Sequence, residues 1–281
     1  VKALVVGDRG QLGRCLLGLL GGDVAWSGDR GDLDVCDAKA VAERISRERP
    51  EVVFNATAYN AVDAAETAVG DAMAVNALGP RNLAVACKAA GALLVHVSTD
   101  YVFDGTATRP YTEADAPCPI NAYGISKLAG ERLVQTSGCA ALVVRTSGVI
   151  GRGGSPDKGG SFVERILARA RRGDPLWVVD DQTFAPTSAP DLAQALVRLV
   201  EAGARGLVHV TNAGSCTWHG LASWAVRHED LDVEVRPIRS EELGLAARRP
   251  TFSVLACERY ADLGLPPLRP WPEALATLLH A

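Results

Sequence analysis

"VKALVVGDRGQLGRCLLGLL", residues 1–20, decides the fold. A short apolar run breaks at Gly7, and after Gly10 leucines recur at helical spacing. A buried strand feeding a helix opens a βαβ unit. Gly7, Gly10 and Gly13 sit at the turn, spaced GxxGxxG. One glycine allows the tight turn, one lets backbone N–H groups approach a pyrophosphate, and one lets helix pack on strand. The helix N-terminus, beginning at Gln11 and Leu12, adds free N–H donors and a favourable dipole. The stretch therefore predicts a dinucleotide-binding turn.

The same alternation continues downstream. "DVAWSG", "EVVFNATA", "ALLVHVSTD" and "ALVVRTSGVIG" read as strands, with helical patterns between them, including a single helix over residues 69–91. Strands that alternate with helices form a parallel sheet, and right-handed crossovers make it doubly wound. The expected fold is α/β: a Rossmann-type doubly wound parallel sheet with a smaller C-terminal α/β substrate-binding domain. The expected division is 1–147 for the NAD(P)-binding domain and 148–281 for the second. "GLVHVTN", residues 206–212, is a candidate to return to the first sheet. "RGGSPDKGG", residues 152–160, reads as a glycine-rich loop.

Bulk properties exclude several function classes. The 281 residues carry a net charge of −4 and no long basic run, so no nucleic-acid partner is expected. No apolar stretch reaches the length of a membrane span. The N-terminal run reads as a strand rather than a signal peptide. Seven cysteines, an odd number with no CxxC spacing, argue against a disulfide framework or a thiolate zinc site. They fit free thiols in a cytoplasmic protein. The five histidines show no metal-binding spacing, and no metal is expected.

Strand ends mark where ligands bind in such sheets. Asp34 and Val35 fall after the second strand, and Asn55, Ala56 and Ala58 after the third; all are expected to line the cofactor. The coenzyme remains open between two readings. Asp29 would accept from a ribose hydroxyl and favour NADH, whereas Arg9 and Arg30 would hold a 2′-phosphate and favour NADPH.

"HVSTDYVFDG", residues 96–105, places Ser98, Thr99 and Asp100 at the end of the fourth clear strand. "NAYGISKLAGERL", residues 121–133, puts Tyr123 and Lys127 one helical turn apart, on one face. That spacing alone also fits an amphipathic helix with a polar side. Together with the glycine turn and the strand end, it fits carbonyl reduction. Tyr123 would supply the proton, Lys127 would favour the phenolate, and Thr99 would hydrogen-bond the carbonyl oxygen. Ser98, Tyr123 and Lys127 would also face the cofactor.

In these motifs the chain resembles the extended short-chain dehydrogenase/reductases, and more narrowly the dTDP-4-dehydrorhamnose reductases. The resemblance rests on "GDRGQLG", "VHVSTDYVFDG", "YGISKLAGE", "VVDDQTFAPTSAPDLA" and "ARRPTFSVL", and spans most of the chain. It implies NADPH or NADH as hydride donor and a dTDP-4-keto-6-deoxyhexose as substrate, and it allows a homodimer. It implies Thr99, Tyr123 and Lys127 as the catalytic residues. Asp100, Tyr101, Val102, Phe162, Gln182, Pro186 and Arg249 would lie on the nucleotide-sugar side, with Arg249 on a phosphate. Asn76 matches a helix asparagine that supports the site. Some relatives hold a divalent metal between subunits; the glutamates here show no matching cluster.

One departure stands out. Family members read RTSWVYG where this chain reads Arg145-Thr-Ser-Gly148-Val-Ile150-Gly151. Gly148 leaves a gap in the sugar site unless another side chain, such as Tyr101 or Phe162, fills it. The competing functions are an epimerase or dehydratase of the same superfamily, and a non-enzymatic NADP-binding regulatory subunit.

Overall fold

The computed structural model describes residues 1–154 and 159–280, so the middle of the glycine-rich loop expected at 152–160 lies outside the described residues. The first part of the chain runs β1 (Ala3–Val6), α1 (Gln11–Leu20), β2 (Val24–Gly28), α2 (Ala38–Glu48) and β3 (Val52–Asn55). It continues through α3 (Val62–Ala65), α4 (Val69–Met73), α5 (Gly79–Ala90), β4 (Leu93–Thr99), α6 (Ala122–Thr136), β5 (Ala141–Thr146) and β6 (Val149–Ile150). Then come α7 (Phe162–Arg171), β7 (Leu176–Val179), β8 (Thr183–Phe184), β9 (Thr187–Ser188), α8 (Ala189–Glu201) and β10 (Gly206–His209). The chain closes with β11 (Cys216–Thr217), α9 (Trp218–His228), β12 (Val235–Ile238), α10 (Glu258–Asp262) and α11 (Trp271–His280).

Six strands make one parallel sheet in the order β10-β5-β4-β3-β1-β2. Its strands are apolar on both faces because helices cover both. Ala3 and Val5 of β1 face α1 and α8, where Leu16, Leu192, Leu196 and Leu199 pack. Leu4 and Val6 face α2 and α5, where Val41, Ile45, Leu83 and Cys87 pack. The strand order reverses between β1 and β3. That reversal opens the crevice at the carboxyl edge where such sheets bind ligands.

The remaining strands form three two-stranded pairs, β12-β7, β11-β8 and β6-β9. With α7, α9 and α11 they enclose cores built on Leu167, Leu176, Leu221, Trp271 and Leu275.

The segment 69–91 is not one regular helix. Between α4 and α5, residues Ala74–Leu78 form a π-turn in which the Gly79 N–H bonds the Ala74 carbonyl. Pro80 has no N–H to return to Asn76, so the regular ladder cannot continue there. Gly130 of α6 packs against the Asn76 carbonyl so closely that a Cβ would collide with it.

Candidate active site

The site grows from the carboxyl ends of β1, β3, β4 and β5. At β1, Gly7 has φ of +90° and an added Cβ would stand 3.0 Å from the Ala56 and Thr57 backbone. At Gly13 a Cβ would strike the Gly7 carbonyl. The Gly10 N-cap has no side chain over the first turn of α1. Open amides and a stripped backbone make a cradle that fits a pyrophosphate. Leu12 is buried in the core beneath, and the Gln11 side chain accepts the Gly151 N–H just past β6. Gln11 thus ties the cradle to the second half of the chain.

At β3, the Asn55 side chain is turned inward. Its oxygen accepts from Thr57 N and Oγ1 at 3.1 and 2.6 Å, and its nitrogen donates to His96 Nδ1 at 3.1 Å. Asn55 therefore shapes the Ala56–Ala58 backbone that lies over Gly7. Burial and the Lys127 cation push His96 well below the usual imidazole range, so it stays neutral. At β2, Asp34 accepts the Cys36 N–H at 2.9 Å, and Val35 is buried against Gly79. The Asp29 carboxylate is held by Arg9 at 2.8 Å and by the Gly31 N–H, whereas the Arg30 side chain is 85% exposed.

The candidate chemical centre lies at β4. Asp100 is buried and accepts three hydroxyls: Thr99 at 3.0 Å, Ser147 at 2.7 Å and Ser253 at 2.6 Å. Burial raises its pKa while these three donors oppose the rise. Thr99 also accepts the Tyr101 N–H at 3.2 Å, and its hydroxyl lies near enough to Tyr123 to favour the phenolate. A hydroxyl carries one proton, so Thr99 cannot donate to Asp100 and to a ketone together. Ser147 and Ser253 leave Asp100 satisfied when Thr99 turns away.

Helix α6 is aimed by its N-terminus. Asn121 caps it through the Gly124 N–H at 2.7 Å and donates to the Arg248 carbonyl at 2.8 Å. Gly124 lets the first turn press on the Tyr101 carbonyl. Tyr101 then meets the Tyr123 ring edge-on, with centroids 5.9 Å apart. Burial pushes Tyr123 up to about 12; Thr99 opposes the shift and Asp100 adds to it. The expected lowering by Lys127 is not what dominates. Lys127 donates instead to the Val97 carbonyl at 2.7 Å, and burial brings it down to about 8 against the pull of Glu131. A tyrosine held protonated beside a threonine hydroxyl is a proton donor in place.

Ser98, expected on the cofactor, donates to Glu131 at 2.5 Å. Glu131 also holds Arg145 through two bonds of 2.8 and 2.7 Å, and both side chains are essentially inaccessible. Asn76 is buried on the other side of α6. It exchanges hydrogen bonds with the Tyr59 backbone at 2.8 and 3.0 Å and donates to Ser126 at 2.9 Å.

The expected sugar side is rearranged. Val102 does not line a pocket. It is fully buried with Phe103, Tyr111 and Leu255, because the short 3-10 turn over residues 100–102 rotates it inward. Arg249 pairs in a fork with Asp63 at 2.9 and 2.6 Å and also bonds the Ala247 carbonyl. Gly148 has φ of +50°, and a Cβ there would strike the Phe184 ring, with Pro186 3.5 Å away. The filler of the Gly148 gap is therefore Phe184, not Tyr101 or Phe162. Phe184 stacks on Trp218 with centroids 4.0 Å apart, and Phe162 meets Trp218 edge-on at 4.8 Å. Gln182 is buried just before β8.

Sequence reasoning missed Ser147, Ser253, Glu131, Arg145, Phe184 and Trp218. One signal was available for Ser147: β4 and β5 pair in register with Thr99 opposite Thr146, so the next residue faces the same edge.

The family model for the RmlD substrate binding domain matches residues 1–281. The chain belongs to this family. Among its RmlD-family relatives, the dTDP-4-dehydrorhamnose reductase of Streptomyces griseus is 42% identical, over 97% of this chain and 91% of that protein. The dTDP-4-keto-6-deoxy-D-glucose reductase of Streptomyces niveus is 39% identical, over 97% and 94%. In solved structures, a dTDP-4-dehydrorhamnose reductase of Bacillus anthracis in complex with NADP superposes with a TM-score of 0.94. It is 34% identical, covering 99% of this chain and 98% of that one. A UDP-glucose 4-epimerase of Thermus thermophilus, 20% identical with a TM-score of 0.85, shares the Rossmann-type fold. Among the described residues no helix is long and apolar enough to cross a membrane.

Proposed function

We propose that this RmlD-family protein reduces the C4 ketone of a dTDP-4-keto-6-deoxyhexose, with dTDP-4-dehydrorhamnose to dTDP-L-rhamnose or a closely related deoxysugar as the reaction. The observation that carries the proposal is the Thr99–Tyr123 hydroxyl pair at the carboxyl edge of β4, with Lys127 one turn behind. The names of the Streptomyces griseus and Streptomyces niveus relatives support a ketosugar substrate. The cradle at Gly7, Gly10 and Gly13 fits a dinucleotide, and when bound there it supplies the hydride. NADPH is the favoured form: Asp29 is engaged by Arg9, while Arg30, 85% exposed and paired only with Asp34 at 4.0 Å, can turn to meet a 2′-phosphate.

Tyr123 protonates the nascent alkoxide from its hydroxyl. Thr99 turns its proton from Asp100 to the ketone oxygen and orients it. Lys127, held by the Val97 carbonyl, keeps a cation below Tyr123. Phe184 walls the sugar where Gly148 has no side chain, so the identity of the deoxysugar depends on that ring. Residues 1–147 serve mainly the dinucleotide and 148–281 mainly the nucleotide sugar. Free thiols throughout fit a cytoplasmic enzyme.

The test is Tyr123→Phe with dTDP-4-keto-6-deoxy-L-hexose and NADPH. Turnover falls about 10²–10⁴-fold, as for loss of a general acid, while dTDP binding persists. Turnover like that of the unaltered protein would refute the assignment, and NMR of the product identifies the sugar.

A further inference from the structure

Three metal-ligating side chains that the reductase site does not use converge at the ends of α9 and α11. His228 is the last residue of α9, Glu229 follows it, and His280 is the last residue of α11. Their ligand atoms all lie within 4.8 Å of one another. The two imidazoles approach Nε2 to Nε2 at 2.9 Å. His228 is fixed by stacking on Trp224, with centroids 4.8 Å apart and planes 11° from parallel.

We propose that His228, Glu229 and His280 form a binding site for a divalent transition-metal ion of the zinc class. The donor set decides the class. Two imidazoles and one carboxylate are a zinc-type set, whereas magnesium and calcium prefer all-oxygen shells. Two nitrogens about 2.0–2.1 Å from one tetrahedral ion stand about 3.3 Å apart, so a small widening of the imidazole pair admits the metal. Glu229 gives one oxygen to Arg171 at 2.6 Å. That bond aims the carboxylate and leaves its second oxygen for the ion, the usual outer-shell arrangement of metal-bound carboxylates. Neutral imidazoles and one carboxylate give the donors a net negative charge. Glu229 also lines a cavity of about 400 Å³ together with Arg171, Leu278 and Leu279. The bound ion staples α11 to α9, two helices of the second half of the chain. The histidines are 52 residues apart in sequence, beyond the reach of any spacing motif.

The experiment uses the full chain, stripped with a chelator and titrated with Zn²⁺ by calorimetry and with Co²⁺ by visible absorbance. One equivalent binds, Co²⁺ gives tetrahedral bands without a thiolate charge-transfer band, and the melting temperature rises on binding. His280→Gln, at an exposed position, and Glu229→Gln each weaken binding at least tenfold while ketosugar turnover is unchanged. Absence of saturable binding, thiolate absorption, or an affinity in both variants equal to that of the unaltered protein would overturn the proposal. Because turnover is read separately, failure of the metal site and failure of the reductase assignment are distinguishable.

Discussion

A side chain on Gly13 would collide with the Gly7 carbonyl, and one on Gly148 would collide with the Phe184 ring. The first obstacle is main chain, fixed by β1 and α1 and unable to move without unmaking the cradle. The second is a side chain delivered from β8, held by a stack on Trp218. The proposed dinucleotide side is therefore shaped by backbone geometry, and the proposed sugar side by side chains. Substrate range can change on the second without disturbing the first.

The comparison breaks most readily at Gly13. Gly13→Val weakens NADPH binding more than about 100-fold, since the helix can no longer close on the turn. Fluorescence titration reads the affinity and circular dichroism checks the fold. A folded variant that still binds tightly would remove the cradle from the argument.

Lys127 lies between the two regions, and its charge is the next test. Burial lowers its pKa to about 8, so the cation is present below that pH and lost above it. Tyr123, raised to about 12, stays protonated throughout. Turnover then falls about tenfold per pH unit above about 8. In Lys127→Arg the charge persists, and any remaining activity loses this alkaline limb. A flat profile up to pH 10 in the unaltered protein would show that the cation is not required.

The smallest effect is expected at the ring. Phe184→Leu changes kcat/KM for the ketosugar about tenfold, the scale of a reshaped apolar contact. NADPH affinity stays within about twofold. Equal shifts in both ligands would mean that the two regions are not independent.

The same contrast explains what could be read from the chain in order. Gly7 to Gly13 and Tyr123 to Lys127 act within two helical turns, so local spacing exposes them. Asp100 draws its hydroxyls from Ser147 and Ser253, 47 and 153 residues away, and no local period encodes that meeting. Arg249 was expected on a substrate phosphate, and its partner Asp63, 186 residues away, was not legible. Val102 was misplaced for a different reason. Three residues past Thr99, it ends a tight turn that sends it to the core rather than the cleft. The π-turn at Ala74–Leu78 was legible only through Pro80, whose missing N–H breaks the ladder.

Strand β10 closes the sheet against β5, yet it lies about sixty residues further along the chain. At about 5–20 residues per second, a ribosome makes that interval in about 3–12 s. For those seconds the apolar β5 is an edge strand with unpaired amides and carbonyls, the kind of edge that recruits other chains. The nascent protein thus carries an aggregation hazard on the strand that ends beside the Ser147 and Thr99 hydroxyls, until its own C-terminal half arrives to cover it.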